Sequence, residues 1–370
     1  MWVVPSRVKL TDVVRVVVDD TLAAKKGPEV FGLGVHVDPV RSSRKHKVFS
    51  FGHVFVTLCV LVRFPFSSRP WALPVLFRLY RSKKECERNR GAYRTKNELA
   101  WEMIRVLVGW CGTDVRIEVM ADNAYCCSTV THRLPKNVVL VGAMRPDAVL
   151  TVAPGPVAKG RRGRRPVRGP VLPKPAAMAE DADTPWQQCR AHLYGKTQVV
   201  TYKTCVAQWY RACGGAVLRV VVIKCEAGTI PFRVFFSMDP SLTVSQILEL
   251  YSWRWSIEVT FRNLKQNFGF ADSSARTRLA VLRTAPFVGV LYSQLVLWYA
   301  CHAATTPLAC FPNRPWYPGK KDVCFIDVLR AAQAALRHTD ILDLLRNDED
   351  LSKFLPARVV TPPVSLKTAA

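Results

Sequence analysis

The segment VVRVVVDDT, Val13 to Thr21, is mostly β-branched and closes on two acids. Such a run reads as a buried strand whose C-terminal end carries carboxylates. VFGLGVHV and GHVFVTLCVLVRF follow as two more strand candidates, with the basic turn RSSRKHK, Arg41 to Lys47, between them. TKNELAWEMIRVLVGW then opens with a capping box, Thr95 as N-cap and Glu98 three residues on, and predicts a helix to Trp110. DVRIEVMADNAY alternates through Val115, Ile117, Val119 and Ala121, a strand ending at Asp122, with a short helix after it. A strand meander, a helix, a strand and a helix give an α/β order.

From Lys136 onward the pattern changes. NVVLVGAMRPDAVLTVAP, LYGKTQVVTYK, AVLRVVVI and PFRVFFSMD read as strands with no clear helix among them. KGRRGRRPVRGP, Lys159 to Pro170, is embedded there and carries Arg161, Arg162, Arg164 and Arg165. Broken by Gly and Pro, it cannot fold on its own. A solvated loop and a phosphate-gripping arm are both open readings, and they are compatible. A second capping box, Thr243 with Gln246, restarts helical structure, which is expected to run to Asn267 and stop at Gly269. A further helix is expected from Ala275 to Ala300. Its run FVGVLYSQLVLWYA falls short of a bilayer span, contains Ser293 and Gln294, and reads as a buried core helix. FIDVLRAAQAALRHTDILDLL predicts C-terminal helices ahead of a loose tail.

The stretch LYSWRWSIEVTFRNLKQ, Leu250 to Gln266, is amphipathic in a particular way. With Tyr251 at zero on a wheel, Arg254, Glu258 and Lys265 fall at roughly −60°, −20° and −40°. Leu250, Trp253, Ile257 and Leu264 gather on the far side. One face is built to pack, and the other presents an acid among cations. A salt-bridged surface helix is the plain alternative. Trp253 belongs with the core set, and Trp255, beside the polar stripe, is expected to pack.

The formal net charge is +25 over 370 residues, an excess that points first to nucleic acid and next to an anionic membrane surface as partner. The 12 cysteines form no CxxC pair, which argues against a disulfide framework and structural zinc. No charged n-region followed by an apolar h-region opens the sequence, so no signal peptide is expected. A cytoplasmic, nucleoid-associated protein without a membrane role or a small-molecule cofactor follows as the expectation.

Asp20 at the end of the first strand, Asp122 at the end of a later one and Glu258 on the helix are acids that an α/β sheet can bring together. Such a cluster is costly unless it holds a cation. Carboxylate oxygens favour Mg²⁺, with Mn²⁺ as the other candidate. Paired ions of this kind activate a water or a 3′-hydroxyl against a phosphodiester.

Tyr251, two residues, Arg254, three residues, Glu258, six residues, Lys265 is the spacing Y-x2-R-x3-E-x6-K, and here the chain resembles DDE transposases of the insertion-sequence-four family. DDT at Asp19-Asp20-Thr21 resembles the family's first catalytic aspartate, and ADNAY at Asp122 its second. The resemblance covers roughly residues 10 to 300. It implies an RNase H-like mixed sheet with helices, interrupted by a β-rich insertion, plus C-terminal helices. The expected division is a core of residues 1–137 and 238–300, an insertion of residues 138–237, and a C-terminal region of residues 301–370. It implies Mg²⁺-dependent cleavage of double-stranded DNA at transposon ends and strand transfer into target DNA, on a homodimer holding paired ends. Asp20, Asp122 and Glu258 would hold the metal, and Tyr251, Arg254 and Lys265 the phosphates. Adjacent strand residues face opposite ways, so only one of Asp19 and Asp20 can serve, and the family pattern selects the one before threonine. Glu29, Asp38 and Asp147 are expected to be ordinary surface charge. Family members usually carry a sizeable DNA-binding region before the first catalytic strand, whereas Asp20 follows Met1 closely. A truncated or decayed copy that only binds DNA, and a nuclease without strand transfer, are the alternatives.

Overall fold

A computed structural model describes residues 13–303, apart from 28, 39–40, 44, 157–162 and 226–229, and residues 319–337 apart from 321. The chain divides into two compact units, residues 1–294 and 295–370.

The first unit opens with β1 (Val13–Ala24), β2 (Gly34–Val37), β3 (Phe49–Val62) and β4 (Trp71–Tyr80). β1 runs antiparallel to β3, and β3 to β4, while β2 pairs with the N-terminal end of β3. β4 has no counterpart among the expected strands. Its Pro74 breaks the strand signal, and a proline is tolerated there because β4 pairs only with β3 and a register shift falls at that point. After α1 (Lys83–Arg88) and α2 (Lys96–Cys111) comes β5 (Arg116–Ala121), parallel to β1. The Thr95–Glu98 capping box of α2 is formed in both directions. α3 (Ser128–Thr131) leads to β6 (Val138–Ala143), parallel to β5. An antiparallel meander continued by two parallel strands with a helical crossover is the RNase H-like arrangement.

The next stretch contains α4 (Pro175–Glu180), β7 (Gln187–Leu193), β8 (Lys196–Gln208), α5 (Tyr210–Cys213), β9 (Val217–Lys224) and β10 (Phe232–Ser237). Tyr194 and Gly195, both at positive φ, make the two-residue turn between β7 and β8. β10 pairs antiparallel with β6, giving one ten-stranded sheet of order β2-β3-β1-β5-β6-β10-β9-β8-β7, with β4 alongside β3. A division at residues 137 and 138 therefore falls inside a continuous sheet, and β6 is a strand of its parallel core.

Helical structure resumes with α6 (Val244–Trp253) and α7 (Trp255–Phe268), then α8 (Arg278–Ala303), and α9 (Phe325–Arg337). The second capping box is formed, and Gly269 ends α7 in the left-handed conformation. The single helix expected from Thr243 to Asn267 is instead two. Arg254 forms a tight turn between them, where Arg254 N bonds Tyr251 O at 3.0 Å and Ile257 N bonds Arg254 O at 3.2 Å.

Strand alternation divides the layers. Val16 and Val18 face α2, where they share a core with Leu99, Met103 and Ile104. The opposite face carries α7. Ser256 Oγ donates to Pro70 O at 2.7 Å, and Thr260 Oγ1 to Ala72 O at 2.8 Å. α8 comes so close to β4 that a Cβ on Gly289 would lie 2.4 Å from the Phe77 ring. The helix expected over residues 275–300 is α8, but the reading of its apolar run as a buried core segment too short for a bilayer is corrected. The apolar run sits in a helix long and apolar enough to cross a membrane by length and composition, and only 33% of that window is buried.

Of the second unit, the end of α8, residues 319–337 (apart from 321) and α9 are described. Asp327 accepts from Cys324 N at 2.9 Å and from Lys320 Nζ, capping the start of α9. The rest of the expected C-terminal helices and the tail lie outside the described residues.

Candidate active site

β1 places Asp19 and Asp20 on opposite faces of the sheet. Asp20 turns toward α2, where Lys96 Nζ donates to its Oδ2 at 2.6 Å and the Tyr125 hydroxyl to its Oδ1 at 2.6 Å. Asp19 turns toward α7. Arg254 donates from NH1 to Asp19 Oδ2 at 2.8 Å and from NH2 to Glu258 Oε1 at 2.6 Å. The structure thus joins Asp19, and not Asp20, to Glu258 through one guanidinium. The reason is packing: α7 lies on the face to which Asp19 points, and Asp20 already has a cation and a phenol on the other.

Burial pushes the Asp19 carboxyl up to about 7, Arg254 and the Asp20 amide oppose the rise, and the charges of Asp20 and Asp122 add to it. Burial also raises the Tyr251 hydroxyl, with Arg254 opposing and Asp122 adding. Asp122, at the tip just past β5, therefore acts electrostatically on both Asp19 and Tyr251. Its Oδ1 accepts from the Ala124 amide at 2.5 Å, which fixes the turn. The Tyr251 ring packs on Phe235 of β10 with centroids 4.5 Å apart. Lys265 lies further along α7. Burial lowers its pKa, and Asp38, just past β2, opposes that shift.

The far side of α6 and α7 is as the apolar spacing predicts: Leu250, Trp253, Ile257 and Leu264 are buried. The guanidiniums of Arg15 and Arg63 also lie against Trp253, each 5.4 Å from its ring centroid. Trp255, expected to pack, is instead exposed. In the basic loop, Arg164 and Arg165 are exposed, and Arg161 and Arg162 lie outside the described residues. Glu29 is exposed, Asp147 is an exposed partner of Arg145 at 2.9 Å, and Asp38 holds the β2–β3 turn by accepting from Arg41 N at 3.2 Å. Lys96 and Tyr125 escape a sequence reading, because nothing local couples them to a strand seventy or more residues away.

The expected cluster of three acids is, in the structure, two acids bridged by a guanidinium. Among the described residues no three carboxylate, imidazole or thiol groups stand together closely enough to hold a metal ion. The donor chemistry nevertheless suits a hard divalent cation. Asp19 and Glu258 offer carboxylate oxygens, and burying Asp19 carries a cost that a cation offsets. Thr57, opposite Asp19 in the β1–β3 register, has a buried hydroxyl without a hydrogen bond, one more oxygen on that face in want of a partner.

A strand-borne acid is thus tied to a helix-borne acid on an RNase H-like sheet by the arginine that caps that helix. The chain belongs to the DDE superfamily endonucleases: that family's model matches residues 1–200, more than half of the 370. The match takes in Asp19, Asp20 and Asp122 and ends before Glu258. The superfamily generally works with divalent metal ions. No curated protein matches the chain. Among solved structures, it is similar to a piggyBac transposase in a synaptic complex with hairpin DNA, at 13% identity and a TM-score of 0.42, over 94% of this chain and 59% of that one. The chain thus spans less than two thirds of that transposase.

Proposed function

We propose that the chain is a transposase of the insertion-sequence-four type, which cleaves DNA at transposon ends and joins the freed 3′-hydroxyl to target DNA. The carrying observation is the Asp19–Arg254–Glu258 bridge, which draws together two acids 239 positions apart and does so through the arginine of the Y-x2-R-x3-E-x6-K spacing. Asp19 takes the place of Asp20 in this reading. Asp19, Asp122 and Glu258 are the residues that would hold Mg²⁺ or Mn²⁺. Such an ion, when bound, supplies charge for a developing oxyanion and lowers the pKa of an attacking water or hydroxyl.

The chain's own side chains do the rest. Arg254 offers a planar fork to phosphate oxygens, and Lys265 a point charge along α7, the helix that Arg254 caps. Tyr251, held against Phe235, orients Arg254 beside it, with the guanidinium 5.9 Å from the ring centroid. In the free protein Arg254 is bound to acids. An arriving phosphate competes for its donors, so DNA and the carboxylates share one cation. Double-stranded DNA is the partner, gathered by the net charge of +25, and a homodimer on paired ends belongs to the same proposal.

The test uses labelled duplex from the DNA flanking the gene, incubated with protein and Mg²⁺ or Mn²⁺. Cut ends and joined products support the proposal, whereas nicks without joining indicate a nuclease. Glu258→Gln is expected to abolish cutting with less than threefold change in DNA affinity. A variant that cuts normally would remove Glu258 from the site.

A further inference from the structure

The exposed apolar residues include one concentrated group. Val35 (52% exposed) and Val37 (45%) on β2 pair directly with Phe51 (59%) and Phe49 (62%) on β3. Partners across a register share a face, so these four form one outward patch. Two valines and two phenylalanines left to water are an aggregation liability at a strand edge unless something covers them.

The setting says what that is. β1 makes its last pair at Ala24 with Gly52 and one more bond, from Lys25 N to Phe51 O at 3.0 Å, and β4 makes its last pair at Tyr80 with Val54. Beyond those points β2 and β3 continue, among the described residues, as a two-stranded ribbon. Its turn exposes Arg41, Lys45 and Lys47, and Asp38 ties the turn down by accepting from Arg41 N and from Ser50 Oγ, each at 3.2 Å. Odd-numbered residues of β3 share the face of Thr57, which is the Asp19 side of the sheet. Phe51 lies six positions from Thr57, about 20 Å along the strand. The ribbon is thus on the acid-bearing face and reaches outward from the site by about the width of a duplex.

We infer that this β2–β3 ribbon enters a groove of the DNA duplex beside the scissile position, its apolar face against base edges and its basic turn on phosphates. A two-stranded ribbon fits the major groove, and phenylalanine and valine methyl groups meet thymine methyls there. The three turn cations among the described residues match the polyanion. The inference rests on the DNA-cleaving reading of the Asp19–Glu258 site and adds to it a second, remote contact.

Phe49→Ser/Phe51→Ser and Lys45→Ala/Lys47→Ala are made in the full chain, and melting temperatures within 2 °C or so of the parent confirm folding, as expected for exposed positions. Binding to the flanking-DNA duplex is followed by fluorescence anisotropy over a salt series. The serine pair is expected to weaken binding about tenfold with the salt slope kept, and the alanine pair to lower that slope by roughly 2. Hydroxyl-radical footprints of the serine pair should lose protection about six base pairs from the cut, at 3.4 Å per base. Parent protein that binds and cuts while both variants match it in affinity, slope and footprint overturns the ribbon assignment alone. A serine pair that turns a parent dimer into monomers with unchanged affinity per protomer assigns the face to a second copy instead, and also overturns it. Parent protein that neither binds nor cuts the duplex removes both this inference and the reading beneath it.

Discussion

Asp19→Asn isolates the cost that the site imposes on the fold. The Asp19 carboxyl titrates at about 7 in the folded chain against an ordinary 3.8, with burial as the leading cause. A folded value above the unfolded one means that the folded state holds its proton over a window in which the unfolded chain has already released it. Stability is then fullest below 3.8 and declines as the pH rises through 7. Three units at about 1.4 kcal/mol each amount to about 4 kcal/mol by pH 8, and well under 1 kcal/mol at pH 4. Asparagine copies the protonated form and can still accept from Arg254, so it removes the charge and keeps the shape. The variant should match the parent at pH 4 and exceed it at pH 8 by several degrees in melting temperature. Urea unfolding at pH 4, 6 and 8 measures the difference directly. A difference that stays constant across those three values, or a variant less stable than the parent at pH 8, would refute the assignment of a buried, high-energy carboxylate at this position.

Two further outcomes follow from the same geometry. Arg254→Gln removes the guanidinium that bridges Asp19 and Glu258, so Mn²⁺ should bind the free protein at least about tenfold more tightly by calorimetry, while DNA cutting falls; unchanged Mn²⁺ affinity would show that Arg254 does not guard the acids. Gly142→Ala would place a Cβ 2.3 Å from Cys126 Sγ, at the turn that carries Asp122, and should cost about 1–3 kcal/mol by urea unfolding together with most of the cutting; a fully active, equally stable variant would show that the turn has slack.

What was readable in the sequence follows how local each cause is. Both capping boxes and the Gly269 stop are formed, because each depends on residues three to five apart. The apolar set from Leu250 to Leu264 is buried, because helical spacing alone sorts it. The break at Arg254 was invisible, since the two halves keep the same periodicity across it. Alternation showed that Asp19 and Asp20 must part company, but which of them meets Glu258 depends on where α7 packs, and Glu258 is 239 positions away from Asp19. β4 was obscured by Pro74, and its place at the sheet's margin explains why the proline is tolerated. β6 looked like the first strand of an insertion because the strand-rich composition runs on unbroken from it. Only its parallel pairing with β5 places it in the core.

The turn at Arg254 has a mechanical meaning. Tyr251 belongs to α6, which rests on β5, β6, β7 and β10, whereas Glu258 belongs to α7, which rests on β4 and β1. The peptide between them is one residue wide, and that residue grips an acid on either side. A shift of α6 against α7 would load that one residue, and the junction would register it first as tension on a single guanidinium.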